Sequence, residues 1–112
     1  MREKDFERQV KAFLADEGCW FVKTFSNGVQ RAGIPDIIAC INGYFVGIEL
    51  KAETGRPSEL QLWNIEKIRD AHGIAMVLYP HQFAMLKDMV RELKRGNHKD
   101  TYTAQRIFTV KG

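Results

Sequence analysis

The chain predicts an α/β fold, a mixed β-sheet flanked by α-helices in the order α-β-β-β-α-β-α. Three observations predict it. Apolar residues near the N-terminus recur at helical spacing, Asn42-Gly43 separates two strand-like runs, and two further helical segments bracket an apolar run of strand length.

Each element has its own signal. Residues 3–17 read as a helix, because Phe6, Val10, Phe13 and Leu14 form one stripe, and Gly18 is a left-handed cap. Residues 19–25 are aromatic and β-branched, hence a strand. Asn27-Gly28, Gly33 and Pro35 make 26–35 a loop. Residues 36–41 and 44–51 are strands joined by Asn42-Gly43, the strongest short hairpin signal. Gly55 and Pro57 mark a loop, after which Ser58 and Gln61 have capping-box spacing for a helix reaching about Ala71, with Leu62, Ile65 and Ile68 at its core edge. Residues 74–79 read as a buried strand. Pro80 leads into a last helix, about 81–95, with Phe83, Leu86, Val90 and Leu93 on one face. The tail 97–112 is polar until Ile107-Phe108-Thr109-Val110, a candidate edge strand or subunit contact.

The 112 residues are expected to form one domain, with its core in 3–96. A content of 45% hydrophobic and 28% charged residues excludes a disordered chain. No apolar run approaches the ~20 residues of a membrane span, and the charged N-terminus does not read as a signal peptide. A cytoplasmic location is expected, nucleoid-associated, or in the host cytoplasm for a phage protein. Cys19 and Cys40 sit in apolar runs and read as buried free thiols. The net charge of +3 is compatible with a polyanionic partner.

Hairpin register brings chemistry together. With a two-residue turn at Asn42-Gly43, Ile41 pairs with Tyr44, and counting back sets Asp36 opposite Glu49, their Cβ atoms roughly 4.5–5.5 Å apart. Lys51, two residues on, shares that face. Such a trio is either a salt-bridged strand end or a site for Mg²⁺ or Mn²⁺, hard cations that take one or two carboxylates plus substrate phosphate. The Lys51 ammonium could orient a water or stabilise a developing phosphorane.

Gly33-Ile34-Pro35-Asp36 followed by Glu49-Leu50-Lys51 resembles the PD-(D/E)XK nuclease signature. The helix acid Glu7, the approach through Asn27-Gly28 and Arg31, and Pro57-Ser58-x-x-Gln61 resemble the VRR-NUC branch of that superfamily, over roughly residues 5–80. The resemblance implies a nuclease dependent on Mg²⁺ or Mn²⁺. Asp36, Glu49 and the Leu50 backbone carbonyl would bind the metal, Lys51 would assist catalysis, and Glu7 and Gln61 would stand nearby. It implies a structure-selective endonuclease on branched DNA such as four-way junctions. Cutting two strands together needs two active sites, so a homodimer is expected, through Ile107–Val110 or the last helix. A restriction-like or flap-type nuclease is the alternative, and a non-catalytic DNA-binding or assembly module a further one.

Other residues keep two readings. Glu7 is also placed to pair with Lys11 at i+4, and Gln61 to close the capping box. Lys23, Arg31 and Arg56 are candidate phosphate contacts or solubilising charge. His72 and His81 read as helix-end residues, Trp63 as core or interface, and Arg91, Lys94 and Arg95 as complements to a helix dipole.

Overall fold

The apolar stripe of the first helix sets the layering. In the computed structural model, which describes residues 1–25 and 32–96, α1 spans Glu3–Asp16 and buries Phe6, Val10, Phe13 and Leu14. Gly18 follows at φ +73° as the left-handed stop. Then come β1 (Trp20–Lys23), β2 (Ile37–Ile41), β3 (Tyr44–Leu50), α2 (Glu59–Asp70), β4 (Ile74–Leu78), a 3-10 turn (Pro80–Gln82) and α3 (Phe83–Lys94). The order is the expected α-β-β-β-α-β-α, and the mixed sheet runs β1-β2-β3-β4, with β3 and β4 parallel.

Strand alternation divides the core. Ile37, Ala39 and Ile41 of β2, Val46, Ile48 and Leu50 of β3, and Ile74, Met76 and Leu78 of β4 face α1 and α3. Ala75, Val77 and Tyr79 pack on the other side with Leu62, Ile65 and Ile68 of α2. The apolar face of α3 (Leu86, Met89, Val90, Leu93) is thus spent inside the chain and is not open to a second subunit. Arg91 and Lys94 of α3 reach Glu17 at the end of α1. The Ile107–Val110 run lies outside the described residues.

Two local expectations change. The first strand stops at Lys23, short of Phe25. Cys40 is exposed, because the α2 side of the sheet is bare toward β1: Trp20 there is 61% exposed, with Val22 and Phe45 also open, while Cys19 is half-buried against the core on the α1 side. No helix among the described residues is long and apolar enough to cross a membrane.

The approach to β2 has steric reasons for its composition. Gly33 has φ +79°, and a Cβ there would stand 2.7 Å from Leu60 Cγ and 3.0 Å from Asn64 Nδ2 of α2. Pro35 lies over Gly47, whose added Cβ would meet Pro35 Cγ at 3.0 Å. Gly33→Ala should therefore destabilise the fold by about 2–4 kcal/mol, from left-handed strain plus overpacking. Chemical denaturation checks this; a midpoint equal to wild type would show that the approach can shift away from α2 at no cost.

Candidate active site

Asn42 and Gly43 adopt φ +50° and +84°, the two positive values a tight hairpin turn of the I′ kind requires. The register runs from Ile41↔Tyr44 to Ile37↔Ile48, as counted from sequence. Continued by one pair, it sets Asp36 against Glu49. In the same register the next hydrogen-bonded pair would be Pro35 and Leu50. Pro35 has no N–H to give to the Leu50 carbonyl, so the ladder stops there. The Leu50 N–H donates instead to Asp36 Oδ2 at 2.9 Å, and Thr24 N–H holds the Asp36 carbonyl at 2.8 Å. Proline thus ends the strand and leaves the carboxylate of the next residue to lie across the strand end.

Glu49 belongs to the α2 face and is 2% exposed. Its Oε2 accepts from Gln61 Nε2 at 3.1 Å and lies 3.7 Å from Lys51 Nζ. Its Oε1 is buried with no hydrogen-bond partner among the described residues. Burial first, then the charge of Asp36, push the Glu49 carboxyl up to about 9, against a weaker opposing pull from Lys51. Burial, rather than repulsion from the neighbouring acid, is thus the larger cause. A buried orphan oxygen is costly unless something occupies it, and a hard cation is the partner that suits a carboxylate.

Gln61 fulfils both of its readings at once. Its Oε1 accepts the Ser58 N–H at 2.8 Å while Ser58 Oγ accepts the Gln61 N–H at 3.1 Å, closing the capping box. That bond commits the amide oxygen to the helix start and turns the NH₂ toward Glu49. Glu7 likewise has two partners, Lys11 Nζ at 3.3 Å and Lys23 Nζ at 2.6 Å. Burial would raise its pKa, but the bonds and charges of Lys23 and Lys11 outweigh that and lower it.

Lys23 shares its register position with Ile37, on the α1 face. Its ammonium sits between Glu7 and Asp36, 3.8 Å from Asp36 Oδ1. Burial would lower its pKa, yet the Glu7 hydrogen bond and the charges of Asp36, Glu7 and Glu49 raise it overall. Lys23, a candidate phosphate contact or solubilising charge, thus sits within the acid cluster. Arg56 is exposed on the loop that follows Lys51. Arg31 lies outside the described residues.

Among the described residues no three His, Cys, Asp or Glu side chains stand close enough together to hold a metal ion. Asp36 and Glu49 bring two carboxylates together at the strand end, oxygen donors of the kind that suits a hard cation keeping several waters. Residues the sequence did not single out as a group stand beside it: Glu53 takes the His81 N–H and ring, and Tyr79 bonds the intervening loop.

Compared with known protein families, the chain matches the model of the archaeal Holliday junction resolvases over residues 1–77. That span contains Glu7, Lys23, Asp36, Glu49, Lys51 and Gln61. No curated protein matches the chain.

Proposed function

The chain belongs to the archaeal Holliday junction resolvase family, one of the PD-(D/E)XK-type nuclease families, and from that premise we propose that it is an endonuclease cutting four-way DNA junctions with Mg²⁺ or Mn²⁺. The observation that carries the metal-dependent reading is Glu49, a buried acid with an orphan oxygen held beside Asp36 and Lys51. The Ser58-x-x-Gln61 element, which resembled the VRR-NUC branch, serves this reading by orienting Glu49.

Asp36, Glu49 and the Leu50 carbonyl would hold the cation. Bound there, it supplies positive charge against the scissile phosphate and acidifies a coordinated water. The chain's own groups do the remaining work. The Leu50 N–H fixes the Asp36 carboxylate, and Gln61 fixes Glu49. Lys51, 15% exposed, offers an ammonium to the reacting phosphate. Lys23 balances Glu7 and Asp36 and keeps the acids together.

One chain carries one such set, so paired incisions need two copies, and we infer a homodimer. The bare sheet face bearing Trp20, Val22 and Phe45, with exposed Trp63 of α2, is the kind of apolar surface a second copy would cover.

The test compares a four-way junction with linear duplex and flap DNA of matched sequence, in Mg²⁺, Mn²⁺ and EDTA. Metal-dependent cutting of the junction in preference to the others is expected, by a species that sediments as two chains. Equal cutting of linear duplex would favour a restriction-like enzyme, and preference for the flap a flap-type one. Junction binding without cleavage would reduce the chain to a binding module.

A further inference from the structure

Between Lys51 and Ser58 the chain crosses from β3 to α2, and this loop is tied down from outside the acid cluster. Glu53 Oε1 accepts the His81 backbone N–H at 3.0 Å, and His81 Nδ1 sits 2.9 and 3.0 Å from the two Glu53 oxygens. The buried Tyr79 donates its hydroxyl to the Gly55 carbonyl at 2.9 Å, and its ring stacks on that of His81. Gly55 N–H closes a turn onto the Ala52 carbonyl at 2.9 Å. Two residues of the loop, Glu53 and Gly55, are thus held from outside by Tyr79 and His81 of the segment that follows β4.

The attachment bears on one residue. Lys51 is fixed independently, since its N–H bonds the Leu78 carbonyl at 3.1 Å, and Ser58 is fixed by the capping box. Arg56 is neither. It is exposed, and its backbone is bracketed by the clamped Gly55 carbonyl and by Pro57, whose ring sets φ. We propose that Tyr79, His81 and Glu53 form a clamp that pre-sets Arg56 as a backbone-phosphate contact for the DNA strand entering beside Lys51. The clamp residues are positioning residues: they hold Arg56 in its bound place, so less ordering is lost when phosphate arrives. The inference rests on the nuclease reading and adds to it a source of substrate affinity separate from the acids.

The KM and kcat of junction cleavage and the salt dependence of junction binding test it, in Tyr79→Phe, Glu53→Ala, Arg56→Ala and the two pairwise combinations with Arg56→Ala. Glu53 is exposed, so its variant carries the test even if Tyr79→Phe folds poorly. Each single variant should raise KM about fivefold, the scale of one hydrogen bond, with kcat unchanged. Arg56→Ala should also shrink the slope of log Kd against log salt by about one phosphate contact, while the clamp variants, which keep the Arg56 charge, should not lower that slope. In the Arg56→Ala background the clamp variants should add nothing. A fall in kcat at constant KM, additive effects, or an Arg56→Ala protein that binds like wild type would each overturn the clamp. A wild-type protein that neither binds nor cuts junctions overturns the nuclease reading instead, and the clamp with it.

Discussion

Lys51→Ala should lower junction cleavage at least 10²–10³-fold, the usual cost of removing a preorganised charge from a reacting centre, while junction binding stays within a few-fold of wild type. The ammonium lies 3.7 Å from Glu49 Oε2 and is largely screened from water. Its charge therefore acts at full strength on whatever negative charge develops there, and much less on a junction held by many phosphates. Two routes could produce the loss. Lys51 could act on the reacting phosphate directly, or by easing the ionisation of Glu49, whose pKa it lowers. The variant distinguishes them. If easing ionisation is its main service, activity of Lys51→Ala recovers steeply as pH is raised toward 9 in Mn²⁺. If it serves the phosphate, the deficit persists at every pH. Cleavage at the wild-type rate would place catalysis elsewhere.

The second large effect is on stability. The Glu49 carboxyl moves from the ordinary 4.5 to about 9 on folding without metal. Between those values the unfolded chain has released the proton and the folded chain has kept it. The native state therefore binds more protons, and raising the pH destabilises it, with a slope approaching about 1.4 kcal/mol per pH unit. This stabilisation is fully present below pH 4.5 and lost as pH rises through about 9. Glu7, with a lowered pKa, contributes stability that is lost on acidifying below 4.5, and Lys23, with a raised one, contributes stability lost above 10.5. Neither opposes Glu49 within its window. In EDTA the wild type should melt roughly 10 °C lower at pH 8 than at pH 6, and Glu49→Gln should flatten the difference and be the more stable protein at pH 8. Divalent metal competes with the proton, so Mn²⁺ at 100 times its dissociation constant should return about 2.7 kcal/mol, with an affinity that rises with pH across the window. Asp36→Asn and Glu49→Gln should lose most of that gain. Melting curves with EDTA and with Mn²⁺ at both pH values decide; a wild type indifferent to pH and to metal would mean that the strand-end acids form a structural cluster.

What could be read without a structure was whatever depends on neighbours along the chain. Asn42-Gly43 specifies a turn, the turn a register, and the register the meeting of Asp36 with Glu49. The helical stripe of Phe6, Val10, Phe13 and Leu14 was legible for the same reason. What depends on where distant elements lie was not. Cys40 sits in an apolar run that looks interior, but α2 covers the other half of the sheet. Lys23 looks like a surface base until β1 pairs with β2 and turns it toward Glu7. Glu53 and His81 are far apart in sequence and share no pattern. Gln61 posed a choice between cap and site that dissolves once its amide is seen to have two ends in use.

That last feature restricts which sequences this scaffold tolerates. Position 61 must present an acceptor to the Ser58 N–H and, on the same planar group, a donor to Glu49. Glutamate would satisfy the helix and face one acid with another. Lysine would satisfy Glu49 and leave the helix uncapped, and asparagine falls one methylene short of spanning both. Glutamine meets both demands with one amide, so a folding signal and a chemical one are joined at a single side chain, and losing that amide costs the protein on both counts.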